Sequence, residues 1–334
     1  MQKKNLILLV VLGIAVLILA IVYFSDNKKQ NEKIILRDFA VADTASVNKI
    51  FLADKNNKTI LLERHDEYWT VNEEHKARKD FVDILLETIK RLEVESPVPE
   101  SKLPKVLRDL STNGIKAEIY QNDKLVKTYY VGNSDTKGTY MILEGSDVPF
   151  LMHIPGFAGF LTIRYTTELG EWRERIVFNY KVQDIAKVEV KHTEDPNESF
   201  IIYNYGNNRY NLTDINGNNT GVFDTLKVKE YLARIKFIGF ESYMDDNIKQ
   251  EKLDSIILQP TISEYSIENR QGEVETLKTY YRQNTNNAFQ DDGTLYDWDI
   301  DHLYGIIKDD KEIVLLQFYI IDPISIKKSS FLRN

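Results

Sequence analysis

The sequence predicts an α+β fold: an N-terminal transmembrane helix followed by two related antiparallel-sheet-rich α+β domains, an internal duplication. Three observations carry that expectation. Residues 6–24 form an unbroken apolar run. The rest of the chain consists mainly of short alternating segments, with a few of helical period. The order of those segments occurs twice.

The apolar run comes first. Leu6–Phe24 carries no charge over nineteen positions, and fifteen of them are Leu, Ile, Val or Phe. A helix of that length spans roughly 28 Å, close to the hydrocarbon thickness of a bilayer. At about −0.4 kcal/mol for each such residue near the helix centre, insertion is favoured by several kcal/mol. Ala20–Ser25 holds no small-x-small cleavage site, and without cysteine there is no lipoprotein processing. These features predict an uncleaved signal anchor over residues 1–33, with its helix at 6–24. Lys3 and Lys4 precede the span and Lys28, Lys29 and Lys33 follow it, so the charge bias is nearly balanced. The five-residue tail ahead of a long body favours an N-terminus in the cytoplasm and an extracytoplasmic body.

Composition bounds what that body can do. Residues 34–334 hold 38 Lys and Arg against 49 Asp and Glu, a net charge of −11. Such an acidic body repels phosphate backbones, which disfavours nucleic acid as a partner. The absence of cysteine rules out disulfides, thiol catalysis, iron–sulfur clusters and cysteine-ligated zinc. With 43% hydrophobic residues, 19 Tyr and 15 Phe, the chain can bury real cores.

Two copies of one unit are read along the body. The first opens with the alternating segment Val47–Leu52 and the second with Ile185–Val190. Further strands follow at Thr59–Glu63 and Ser199–Tyr203, then at Trp69–Val71 and Tyr210–Leu212. Both copies then switch to helical period. Phe81, Ile84, Leu85, Ile89 and Leu92 mark one apolar stripe; Val228, Tyr231, Leu232 and Ile235 mark the other, with Asp224 or Thr225 as N-cap. Shorter helices are expected at Lys102–Leu110 and Ile248–Ile257, then hairpins at 116–131 and 263–281. Lys-Thr-Tyr-Tyr occurs in both return strands, at 127–130 and 278–281. Tyr140–Leu143 matches Tyr304–Ile307, and each is followed by a last strand, Pro149–Ile154 and Glu312–Phe318. The expected domains are therefore 34–155 and 184–334, joined by a connector at 156–183. Within it, Glu171-Trp172-Arg173-Glu174-Arg175 reads as an interdomain clamp, because arginine suits bidentate pairing and aromatic stacking.

Four features together resemble a known bacterial family: the anchor, Leu36-Arg37-Asp38-Phe39-Ala40, the strand–strand–Trp–helix unit, and Trp172-Arg173-x-Arg175-x-Val177-Phe178. It is the membrane-anchored group known as domain of unknown function 4340, and the resemblance runs over essentially the whole chain. It implies a single-pass protein of the bacterial inner membrane with a periplasmic body. It also implies a possible partner, because members are often encoded beside ABC-transporter components. The Asn- and Tyr-rich composition suits a member from an AT-rich, Bacteroidetes-like genome. The family supplies no active-site residues, and none are carried over.

The strongest candidate for a site is the acidic run from Asp291 to His302. Asp297, Asp299 and Asp301 alternate, and on an extended strand their carboxylates would project to one side and could gather a cation through hard oxygen ligands. The EF-hand template fails, with His302 at its sixth position and Lys308 at its twelfth. Asp214–Gly221 also resembles a calcium loop, but its Asn216-Gly217 pair is a turn signal in its own right. The five histidines, His65, His75, His153, His192 and His302, show no zinc-binding spacing. Ser46-Val-Asn-Lys49 and Ser25-Asp26-Asn27 match two elements of penicillin-recognising enzymes, but the third is missing and both contexts are wrong. Tyr129, Tyr130, Tyr280 and Tyr281 fit a sugar-stacking platform only if they face outward, whereas adjacent strand positions put at least one ring of each pair in a core.

The resulting expectation is a protein with no catalytic residues, cofactor or resident metal, Asp297, Asp299 and Asp301 being weak cation candidates. It acts as a non-enzymatic accessory or scaffold of a membrane complex. The alternatives are a binding module for envelope glycan or another small ligand, and an enzyme whose site forms only in the fold.

Overall fold

The computed structural model describes residues 37–244, 250–285, 287–308 and 312–333. The apolar run 6–24, and with it the expected anchor over 1–33, lies outside the described residues. Among the described residues, no helix is long and apolar enough to cross a membrane. The architecture is sheet-rich α+β with few helices. The chain divides into two compact units, Met1–Glu174 and Arg175–Asn334. That division falls inside the stretch read as a connector.

In the first unit the strands are β1 (Val47–Ala53), β2 (Thr59–Arg64), β3 (Trp69–Val71), β4 (His75–Lys76), β5 (Glu93–Pro97), β6 (Ile115–Gln121), β7 (Lys124–Asp135), β8 (Gly138–Leu143) and β9 (Phe150–His153). They form one antiparallel sheet in the order β4-β3-β2-β1-β6-β7-β8-β9-β5. The helix Lys79–Arg91 carries the chain from the β4 edge to the β5 edge. Its buried stripe is Val82, Leu85, Leu86 and Ile89, which packs with Ile50, Leu52 and other inward residues of the sheet. The expected stripe was rotated relative to this: Ile84 is exposed, and Phe81 packs at the margin against Trp172 at 4.6 Å. Leu85 and Ile89 belong to both stripes, so periodicity located the face but not its centre. The second helix, Leu103–Asn113, covers the opposite face, where Val106 and Leu110 pack with Ile142, Tyr130 and Tyr140.

The second unit contains β10 (Ile176–Phe178), β11 (Ile185–His192), β12 (Phe200–Gly206), β13 (Arg209–Thr213), β14 (Ile238–Gly239), β15 (Ser242–Tyr243), β16 (Ser263–Asn269), β17 (Val274–Gln283), β18 (Trp298–Ile307) and β19 (Glu312–Gln317). β10 pairs with β14; the others form a sheet in the order β13-β12-β11-β16-β17-β18-β19-β15. Apart from β4, this is the first unit's order strand for strand. A bulge interrupts β1 against β6 between Val47 and Lys49, and β11 against β16 between Ile185 and Lys187. The helix Thr225–Arg234 buries Val228, Tyr231 and Leu232, and Asp224 caps it by accepting the N–H of Leu226 at 2.9 Å. The helix Gln250–Ile257 supplies Ile256 to a separate cluster with Tyr280, Tyr304 and Ile306 on the other face.

The shared tetrapeptide does not occupy equivalent places. Ile50 faces Ile119 and Val188 faces Ile267, which makes Ala117 the counterpart of Tyr265. Tyr129 pairs with Ala117, whereas it is Leu277 that pairs with Tyr265. The two copies of Lys-Thr-Tyr-Tyr are thus three places out of step, and an odd offset sends a side chain to the opposite face. Tyr129 is in the core beneath Lys79–Arg91, while Tyr280 is in the cluster with Ile256.

Trp172 is fully buried in the first unit and donates its indole N–H to the Thr166 carbonyl at 2.8 Å. Its own carbonyl accepts the Arg78 N–H at 2.7 Å, next to a bridge between Ala77 and Arg173. Replacing it leaves a large cavity, so Trp172→Ala should destabilise the protein by about 3–5 kcal/mol, measured by denaturant unfolding followed by circular dichroism.

Candidate functional site

The acidic run lies in the connection from β17 to β18. The first unit joins β7 to β8 by a two-residue turn at 136–137; the second uses residues 284–297. The described residues of that connection form a hairpin of their own. The Asn284 amide donates to the carbonyls of Ala288 and Tyr296, both at 2.9 Å, and its oxygen accepts the Ala288 N–H at 3.1 Å. Phe289 bridges to Leu295, and the turn closes with Gly293 at φ +84°, a conformation that glycine adopts without strain.

At the base of the hairpin the register breaks. Gln283 pairs with Trp298 and Tyr281 with Leu303, so a step of two residues on β17 meets a step of five on β18. This bulge turns Asp299 inward. Its Oδ1 accepts the N–H groups of Asp301 and His302, each at 2.9 Å, and its Oδ2 accepts from Arg282 Nη1. Burial pushes the Asp299 carboxyl up, but the two backbone N–H groups and the Arg282 charge outweigh it, and the group lies below the ordinary carboxylate range. Tyr281 and Trp298 stack across the base at 5.2 Å.

The expected row of three carboxylates on one side of a strand is therefore not formed. Asp299 is buried, while Asp297 and Asp301 are exposed. Asp299, Asp301 and His302 do converge, with one ligand atom from each within 4.8 Å, and Asp297 is not among them. His302 Nε2 also lies 3.1 Å from Glu241 Oε2. The cation already at Asp299 is the guanidinium of Arg282, a partner the sequence reading did not name. The signal that could have found it is a lone arginine on the strand facing the acidic run.

The other sequence candidates resolve into structure. Asp214 folds its own loop, its Oδ1 accepting the N–H groups of Asn216 at 2.9 Å and Asn218 at 2.8 Å. His192 spans Ser263 Oγ at 3.1 Å and the Ile326 carbonyl at 3.0 Å. Tyr129 and Tyr165 share a buried hydrogen bond of 3.0 Å. Arg175 donates to the Glu241 carbonyl at 2.6 Å within the second unit.

Sequence reasoning missed a cavity of about 800 Å³ in the first unit. It is lined by residues of the helix Leu103–Asn113, by Asp135 of β7 and Tyr140 of β8, and by Phe160 and Ile163. Asp135 lines it and accepts the Tyr140 hydroxyl at 2.7 Å; Lys102 lies 3.8 Å away. Burial, then the hydrogen bond to Asp135, pushes the Tyr140 phenol up to about 12. Ser134 sits 2.7 Å from Thr139 Oγ1 and 3.0 Å from Thr162 Oγ1, and Thr162 donates to the Gly132 carbonyl at 2.7 Å. Each hydroxyl has one proton, so the direction runs Thr139 to Ser134 to Thr162 to carbonyl. The Ser134 proton goes to another hydroxyl, not to a base. No motif marks this cavity, because its lining comes from four separated segments.

Asp299→Ala leaves Arg282 without its buried counter-charge and should cost about 3 kcal/mol, with faster hydrogen exchange confined to residues around 284–302. Because the folded carboxyl lies below its ordinary value of 3.8, its contribution is present above that pH and lost as pH falls through the lower folded value. Acid unfolding of Asp299→Asn should therefore show a weaker pH dependence below about pH 4.

The sequence matches the family described as a domain of unknown function (DUF4340) over residues 69–259, more than half of the chain. Comparison with curated proteins and with solved structures returns no match. The match takes in the Trp69 strand, both crossing helices and the Trp172 segment, and on it the chain belongs to the DUF4340 family.

Proposed function

We propose that the chain is a non-enzymatic accessory or scaffold subunit of a membrane complex, of which an ABC-type exporter is the leading example. Residues 6–24 hold it as a single-pass protein of the bacterial inner membrane, with its body in the periplasm. The observation that carries this reading is the grouping of exposed apolar side chains on ordered segments. Phe157, Phe160 and Ile163 lie together in sequence in the first unit, as do Phe289, Leu295 and Trp298 in the second. Single exposed apolar residues are ordinary; grouped ones mark interaction sites. The matched strand orders further support reading the two units as copies of one duplicated domain.

A second reading is favoured by the first unit's cavity: binding of an envelope glycan or another small ligand. Phe160 offers an apolar face, Asn133 and Asp135 offer hydrogen bonds, and Lys102 and Lys105 stand at the helix end. Concave sites of this volume with a few polar groups are the usual form of ligand pockets.

The chain extracted from its own membranes in mild detergent should bring down subunits of a membrane complex; recovery alone at native expression overturns the accessory reading. For the second reading, glycan-array binding should fall at least tenfold in Phe160→Ala, and equal binding by this variant removes the cavity as the site.

A further inference from the structure

We propose that the hairpin 287–301 of the second unit is a docking finger that inserts into an apolar cleft with a basic rim on a partner protein. The proposal rests on the accessory reading above and adds the surface and the chemistry of its partner.

Four observations support it. Residues 289–300, only twelve positions, hold five exposed large apolar side chains: Phe289, Leu295, Tyr296, Trp298 and Ile300. Phe289 is 62% exposed and Trp298 41%. Tyr, Trp and Phe are enriched at protein interfaces, and Trp and Tyr among their energetic hot spots. Among them stand the exposed carboxylates of Asp291, Asp292, Asp297 and Asp301, and no Lys or Arg occurs between 283 and 307. Finally, described residues of the finger and its base are held to one another without a partner, by the Asn284 bonds, the Arg282–Asp299 pair and the Tyr281–Trp298 stack. Preorganisation lowers the entropy lost on binding.

The charge selects the occupant. Four carboxylates set among the exposed apolar side chains, two of them at the turn, are repelled by anionic lipid headgroups and by nucleic acid. A second copy of this chain would bring a body of net charge −11 to the same surface. A cationic protein surface is attracted, and its rim charges would steer the approach while its cleft covers the aromatic rings.

Trp298 makes the test direct, because Trp69 and Trp172 are buried, at 8% and 0% exposure. The full chain in zwitterionic detergent is titrated with a leucine-cored peptide flanked by arginines, and with its twin carrying glutamates. The arginine peptide should shift Trp298 emission to the blue and reduce acrylamide quenching, and its affinity should fall about tenfold between 50 and 300 mM salt. The glutamate twin should do neither. D291N/D292N/D297N should bind about tenfold more weakly, and Phe289→Ser, on an exposed side chain, about thirtyfold. W298F is the spectral control. The proposal is overturned if the arginine peptide leaves Trp298 unprotected, if Phe289→Ser binds like wild type, or if anionic phosphatidylglycerol vesicles protect Trp298 instead. The accessory reading fails separately. Complex subunits recovered equally with wild type and Phe289→Ser overturn the finger alone. A chain recovered alone from its membranes, with Trp298 still protected by the arginine peptide, overturns the accessory reading alone.

Discussion

Burial of both faces of each antiparallel sheet is the constraint from which the rest of each unit follows. One face packs on a long crossing helix, Lys79–Arg91 or Thr225–Arg234, and the other on a shorter helix, Leu103–Asn113 or Gln250–Ile257. A strand that slipped by one residue would move core side chains of both faces at once. Register is therefore held from two sides, and apart from β4 both sheets keep the same strand order, with the same bulge near the start of β1 and β11. Within that frame different residues fill equivalent places, as the two offset occurrences of Lys-Thr-Tyr-Tyr illustrate. Tyr129 fills one face of its sheet and Tyr280 the opposite face of the other, each as a core residue.

The units part company where β7 meets β8 and β17 meets β18. Two residues suffice for the first connection. The second is longer, it exposes Phe289 and Tyr296, and its base is pinned. The bulge at 299–302 carries that pin: it turns one aspartate inward to cap two backbone N–H groups and to hold Arg282. A carboxylate that reads as a solvated ligand in sequence thus serves as the anchor of a hairpin.

What could be read in advance depended on how local the physics was. The helix Thr225–Arg234 was legible to within one residue of its cap, since Asp224, Thr225 and the stripe Val228, Tyr231 and Leu232 lie within one short segment. The Lys79–Arg91 stripe was legible only in part, because Val82, Leu86 and Ile84 are all apolar and only packing against the sheet and Trp172 decides which are covered. Asp299 was singled out as a cation candidate, but its partner stands seventeen residues earlier on another strand. The cavity lined by Lys102, Asp135, Tyr140 and Phe160 was not legible at all, since no spacing within one segment encodes it.

The sequence by itself determined the α+β class, the recurrence of the element order, the helix faces in outline and the acidity of the body. Each of these is written in short-range periodicity or in composition, and short segments express them without help from distant residues. Only the tertiary structure decided which tyrosine of each pair enters which core, where one unit ends at Glu174, and that Asp299 pairs with Arg282 while Asp297 stays in solvent. Those outcomes turn on register and bulges, and a shift of a single residue reverses the side from which a strand presents its chemistry.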